Sequence, residues 1–235
     1  NKTKMNNIRI EYCFRLPDSS SENFRLELNP YSLELTGNIP QSLPDWSKLG
    51  FHQCPHCPLD IINNPYCPLA ANLVNIVKRF DGLISYDKIR VDVITQERQI
   101  SQKTTAQKAI SSMMGLVIAT CGCPHTAFFK AMGRFHLPLA SNEETIFRAT
   151  SMYLLAQYFL RMDGRQADLE LKGLTKIYHN MQIVNVAIAK RLRSTSISDS
   201  SINAIVILDN YAKSLPYAID KSLNNLRHLF LPFLK

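Results

Sequence analysis

Apolar and polar side chains alternate along the first forty residues, in "IRIEYCFRL" from Ile8 and again in "FRLELNPYSLELTG" from Phe24, with "PDSSSEN" and "NP" as turns. A period of two places every second side chain on one face, so two or three antiparallel strands with one buried face are expected. The alternation returns in "SYDKIRVDVITQER" from Ser85, where Ile89, Val91 and Val93 interleave with Arg90, Asp92 and Thr95 and predict a further strand. Between these stretches Pro40, Pro44 and Trp46 lead into an irregular segment. "PLAANLVNIVKRF" then sets Leu69, Leu73, Ile76, Val77 and Phe80 at helical spacing behind Pro68, a residue suited to the first helical position.

From Thr105 onward the period is helical. "TAQKAISSMMGLVIATCGC" runs to a stop near Gly122, and "CPHTAFFKAMGRF" reads as a short helix opening near Pro124. "SNEETIFRATSMYLLAQYFLRMDG" opens on a capping box, Ser141 to Glu144, and closes at Gly164. "LKGLTKIYHNMQIVNVAIAKRLR", "SSINAIVILDNYAKSL" and a last short helix in "IDKSLNNLRHLFLPF" follow. Tyr153, Tyr158 and Phe159 fall at core spacing and are expected to pack inward. The expected fold is α+β, one integrated domain: a small N-terminal antiparallel sheet with a cysteine-rich loop (residues 5–100), then a mainly helical half (residues 101–235). Met5 is taken as the natural start, with "NKTK" ahead of it set aside.

With 235 residues, 46% hydrophobic and 20% charged, the chain can bury an adequate core and lacks the composition of a disordered protein. "MNNIRIEYCFRLP" has no apolar stretch of the signal-peptide kind, and the most apolar window, "AISSMMGLVIATCGC", is too short to span a bilayer. A cytoplasmic protein without a membrane partner is therefore expected. There its six cysteines would be ligands or free thiols, not disulfides. The net charge of +8, from 27 Lys+Arg against 19 Asp+Glu, permits attraction to nucleic acid. The basic residues are spread, however, and the densest group, Lys190, Arg191 and Arg193, ends a predicted helix, where cations complement the dipole.

Cys54, Cys57, Cys67 and Cys123 are each followed by proline, whereas Cys13 and Cys121 are not. With proline at about 5% of residues, four such pairs among six cysteines arise by chance about once in ten thousand. Proline pushes the preceding residue toward extended backbone, which would hold each thiolate in a fixed pose. The spacing C-x2-C-x9-C, with Cys123 after fifty-five further residues, suggests an all-sulfur shell for a zinc ion or, alternatively, an iron–sulfur cluster. His52, His56 and His125 lie close enough in sequence to replace a sulfur, and Cys121 is a candidate redox partner.

"CPHCPL", "YCPLA", "GLVIATCGCPH", "RFHLPLASNEETIFRA" and "MYLLAQYF" together resemble an uncharacterised bacterial protein family, a domain of unknown function, over most of the chain. The family pattern has a small, serine-like residue where this chain has Cys121, which weakens Cys121 as a ligand. The resemblance supplies no activity. In "RFHLPLASNEETIFRA", Arg134 and His136 are candidate anion binders or acid–base groups, and Glu144 and Arg148 stand at i and i+4, a pairing that stabilises helices. No GxGxxG, P-loop, HExxH or GxSxG signature is present, which removes the usual support for nucleotide-binding and hydrolase classes.

The leading expectation is a metal-binding protein of accessory or regulatory type, its four-cysteine site structural or sensing metal or redox state. The alternatives are an iron–sulfur or thiolate-dependent enzyme and a nucleic-acid-binding module, the latter without the basic-aromatic interleaving of single-strand binders. The apolar C-terminal "LRHLFLPFLK" would dock on the bundle or join two copies of the chain as a homo-oligomer.

Overall fold

The computed structural model describes residues 6–195, 199–221 and 223–234; the expected start at Met5 lies outside them. The alternating segments form a five-stranded antiparallel sheet, β1 (Ile8–Arg15), β2 (Ser21–Leu28), β3 (Leu35–Thr36), β4 (Lys88–Ile94) and β5 (Gln99–Thr105), in the order β3-β2-β1-β4-β5. Register follows the hydrophobic pattern: Tyr12 sits opposite Phe24 on one side and Val93 on the other, and all three are buried. β5 does not show in the sequence because Ile100 is the only apolar residue in "QISQKTT". It is a polar edge strand, the kind that discourages pairing with another chain.

α1 (Pro68–Arg79) covers the sheet, and Phe80 just beyond it meets Phe14 and Phe24 at ring separations of 4.9 and 5.4 Å. α2 (Ala106–Thr120) is buried nearly all round, as a helix between two layers must be; it touches the sheet on one side and α6 (Asp199–Lys221) on the other, with α5 (Lys172–Arg193) packed along α6. α2 and α4 (Asn142–Met162) stop where expected: Gly122 and Gly164 follow them with φ of 83° and 73°, left-handed values that glycine adopts without strain. The capping box at the start of α4 is present, Ser141 Oγ accepting from the Glu144 amide while the Glu144 carboxylate accepts from the Ser141 amide. α3 (Lys130–Arg134) and α7 (Leu223–Leu226) are single short turns.

Two expectations about the helical half fail. Tyr158 and Phe159 are exposed, because α4 buries only Ala149, Thr150 and Gln157, while the half-buried Tyr153 donates its hydroxyl to Asp168 at 2.9 Å. Arg191 is no surface helix-end cation, although Lys190 and Arg193 beside it are exposed. The last residues, Arg227–Phe233, form a 3-10 helix whose Phe230, Leu231 and Phe233 are exposed. Among the described residues no helix is long and apolar enough to cross a membrane.

Arg191 is 1% exposed and ties α5 to the cysteine loop. Its Nη1 donates to the carbonyls of Trp46 and Lys48 at 2.7 Å each, and its Nη2 to that of Leu49 at 3.0 Å. These carbonyls belong to a loop closed on itself, where the Leu49 amide donates to the Pro65 carbonyl and the Cys67 amide to that of Ser47. Removing the guanidinium takes a donor from three carbonyls, of which that of Lys48 keeps the Phe51 amide. Arg191→Ala is therefore expected to lower stability by about 3 kcal/mol or more, roughly 6–12 °C in Tm, with Arg191→Lys intermediate because an ammonium cannot reproduce the planar fork. Thermal and urea unfolding of the three proteins check this.

Candidate functional site

The structure overturns the metal-centred reading. Among the described residues no group of three or more His, Cys, Asp or Glu side chains is arranged to hold a metal ion, and all six cysteines are free. Cys54, Cys57, Cys67 and Cys123 stand near enough to influence one another's ionisation, yet they serve packing and chain direction instead of ligation. Cys123 belongs to the hydrophobic core, Cys54 and Cys67 pack against it, and Cys67 is the N-cap residue of α1 with Pro68 at the first helical position. Cys57 closes a turn, its amide donating to the Cys54 carbonyl at 3.0 Å. Burial, and then the neighbouring Cys67, push the Cys54 thiol up to about 12; burial likewise lifts Cys121 to about 12 and Cys123 to about 11. Cys121 is thus a buried, protonated thiol, not a redox partner in waiting. The iron–sulfur alternative rests on the same four sulfurs and falls with the zinc-centred function.

The histidines separate. His52 is exposed, its ring edge-on to Phe51 at 4.9 Å. His56 and His125 stack at 3.8 Å, with a 2.8 Å hydrogen bond between His125 Nε2 and the His56 carbonyl. This pair joins the cysteine loop to the turn after α2. Arg134 pairs with Glu97 at 3.7 Å and lies over the Phe135 ring. None of these residues shares a site with His136.

His136 lines a cavity of about 380 Å³ whose walls come from α2, α5, α6 and the loop after α3. Leu116, Met132, Met181 and Leu208 supply apolar surface, and its size falls within the range of small-molecule pockets. Into this space project the polar side chains of Ser112, His136, Arg148, Tyr178 and Asn185, with Lys108 exposed at one side. Among the described residues no aspartate or glutamate lines it. The loop from Phe135 to Ala140 is held from two directions. Arg148 Nη2 donates to the carbonyls of Met132 and Phe135, both at 2.9 Å, and the Leu139 amide donates to Ser112 Oγ at 3.0 Å. Leu139 has φ of 59°, a left-handed conformation that is costly for a side chain of its size. Glu144 is engaged in the capping box and makes no direct ion pair with Arg148, but its carboxylate still acts on the guanidinium one turn away.

A hydrogen-bonded chain sets the chemistry of His136. Ser112 Oγ accepts from the Leu139 amide and is hydrogen-bonded to the Tyr12 hydroxyl at 3.1 Å, and that hydroxyl is hydrogen-bonded in turn to His136 Nε2 at 2.5 Å. Burial, reinforced by the Arg148 guanidinium, depresses His136 to about 3, so the ring is neutral at neutral pH. Such a ring is a fixed dipole at neutral pH, far from the proton affinity a general base or acid needs there. Sequence reading singles out His136 but misses Tyr12, Ser112, Tyr178 and Asn185, because nothing local marks residues that converge from strands and helices far apart in the chain.

The unfolded chain protonates its histidines near pH 6.5, whereas folded His136 stays neutral down to about 3. Stability from this site is fully present above 6.5 and declines as pH falls, because the unfolded state takes up a proton that the native state refuses, at about 1.4 kcal/mol per pH unit. His136→Gln is expected to flatten the urea-unfolding free energy between pH 6.5 and 5, leaving the smaller slope of His56, which burial and then His125 also depress. A wild-type slope retained in the variant contradicts the assignment. Iodoacetamide labelling followed by mass spectrometry is expected to modify Cys54, Cys121 and Cys123 only after denaturation.

No curated protein and no solved structure matches the chain. Residues 10–231 match the model of the family described as Domain of unknown function (DUF6901), and the chain belongs to that family.

Proposed function

We propose that the protein binds a small, largely apolar molecule in the cavity framed by α2, α5, α6 and the 135–140 loop. The observation that carries this reading is Asn185, 2% exposed in the cavity wall with its Oδ1 lacking any hydrogen-bond partner. A buried amide oxygen left alone costs about 1–3 kcal/mol, so a native fold retains one where something else completes it. The neutral His136, hydrogen-bonded to Tyr12, supports recognition over proton-transfer catalysis.

The neutral dye N-phenyl-1-naphthylamine tests the reading. Saturable fluorescence enhancement at one site per chain is expected. Gly115→Leu sets a side chain into the cavity beside Leu208, whose Cδ2 lies 3.6 Å from a Cβ built at Gly115, and is expected to weaken dye binding by about tenfold or more. Dye binding unchanged in a folded Gly115→Leu protein places the site elsewhere. Asn185→Leu is expected to raise the Tm of the ligand-free protein, because it removes an unsatisfied buried acceptor from the cavity wall.

A further inference from the structure

We infer that the molecule taken up by this cavity is an amphipathic carboxylate, its anionic head at Arg148 and its apolar body along α2, α5 and α6. The inference rests on the cavity-binding reading and narrows it to a ligand class.

Arg148 is the first reason. It is half-buried, has no carboxylate within ion-pair distance among the described residues although Glu144 acts on it from further off, and spends only Nη2 on protein acceptors, the carbonyls of Met132 and Phe135. Those two bonds fix the guanidinium plane, and Nε and Nη1 remain without a protein partner among the described residues. Burial lowers the proton affinity of Arg148 without neutralising it, so a full positive charge stands in a partly dehydrated wall. A desolvated cation of this kind is stabilised by an anion, and a guanidinium presents two parallel donors that match a carboxylate.

The rest of the lining agrees in sign. Arg148 and Lys108 are cationic, no acidic side chain among the described residues faces the cavity, and the Tyr178 hydroxyl lies close enough to Arg148 for the guanidinium to act on it. An amine would meet like charge at the Arg148 end, and the unpaired acceptor, Asn185 Oδ1, stands further along the cavity. Tyr178, Met181 and Asn185 follow one another at i, i+3 and i+7 on the cavity face of α5, so Asn185 stands about 10 Å along the helix axis from the Arg148 end. Between them the wall is aliphatic and thioether, through Leu116, Met181 and Leu208. One buried guanidinium suits a single negative charge better than the double charge of a phosphate monoester.

Displacement of N-phenyl-1-naphthylamine from the intact chain tests this, with octanoate, 1-octanol, octylamine and octyl phosphate as competitors of equal chain length. Octanoate is expected to displace the dye at concentrations about tenfold or more below 1-octanol, with octylamine weakest. Arg148→Gln is expected to shrink the octanoate-to-octanol preference to less than about threefold. Should that variant fail to fold, Lys108→Gln at an exposed position is expected to shrink it by about twofold. Equal displacement by octanoate and 1-octanol overturns the inference while leaving cavity binding intact. Octyl phosphate outcompeting octanoate by about tenfold overturns it in favour of a phosphate monoester. An octanoate preference unchanged in folded Arg148→Gln overturns the role of Arg148. Failure of the cavity-binding reading shows separately, as no dye binding at all, and removes the carboxylate assignment with it.

Discussion

A buried cation ties the helical half of this fold to the irregular loop before α1. Arg191 reaches from the end of α5 into the loop before α1 and donates to the carbonyls of Trp46, Lys48 and Leu49. That loop has no regular ladder of its own beyond the Lys48–Tyr66 bridge, so its backbone acceptors need donors from elsewhere. Arg191 meets this need without a carboxylate beside it: carbonyl dipoles, not a counter-ion, solvate the charge. The arrangement is costly to assemble and more costly to break, because either partner alone is stranded away from water. It fixes where α5 can lie, and with it the cavity wall that carries Tyr178, Met181 and Asn185.

The cysteine-proline pairs acquire a different meaning in this light. A bridge between the cysteine loop and the helical half does exist, but the Arg191 guanidinium and the His56–His125 pair make it. Each Cys-Pro step still does what proline chemistry dictates. Cys67 is extended ahead of Pro68, which starts α1, and Cys123 directs the chain out of the turn after α2. The thiols then act as small apolar side chains against the core, a common use of free cysteine. Local sequence carries the backbone consequence of Cys-Pro faithfully and says little about where four sulfurs end up relative to one another.

What was legible in the sequence follows the same division. Strands β1, β2 and β4, the Pro68 helix start, the Ser141 capping box and the Gly122 and Gly164 stops are local events, and each is readable because its physics sits within a few residues. β5 escaped because an edge strand needs no apolar alternation when both its faces meet water. Arg191 escaped because a helix-end position is ordinarily exposed, and only the tertiary approach of residues 46–49 turns it inward. Of the cavity, His136, Arg148 and the segment around them were visible as a dense run of polar groups. Their partners Tyr12, Ser112 and Tyr178 lie on β1, α2 and α5, where alternation or helical spacing alone reads them as core.

Several departures from the rules that stabilise folds border the cavity, although others, such as the unpaired ring nitrogens of His56 and Nε of Arg191, lie away from it. At the cavity Asn185 keeps an acceptor unpaired, Arg148 keeps a partly buried charge, Leu139 holds a left-handed backbone, and about 380 Å³ stays open where side chains could have filled it. Each is destabilising on its own, and packing alone explains none of them. By contrast, the sheet face around Phe14, Phe24 and Phe80 shows ordinary aromatic packing. The departures around the cavity border open space that a bound molecule would fill, as the proposed binding reading requires. The Ser112–Tyr12–His136 chain ties that cavity to the centre of the sheet, so the geometry at His136 is inherited from β1, the central strand, and not only from the loop that carries it.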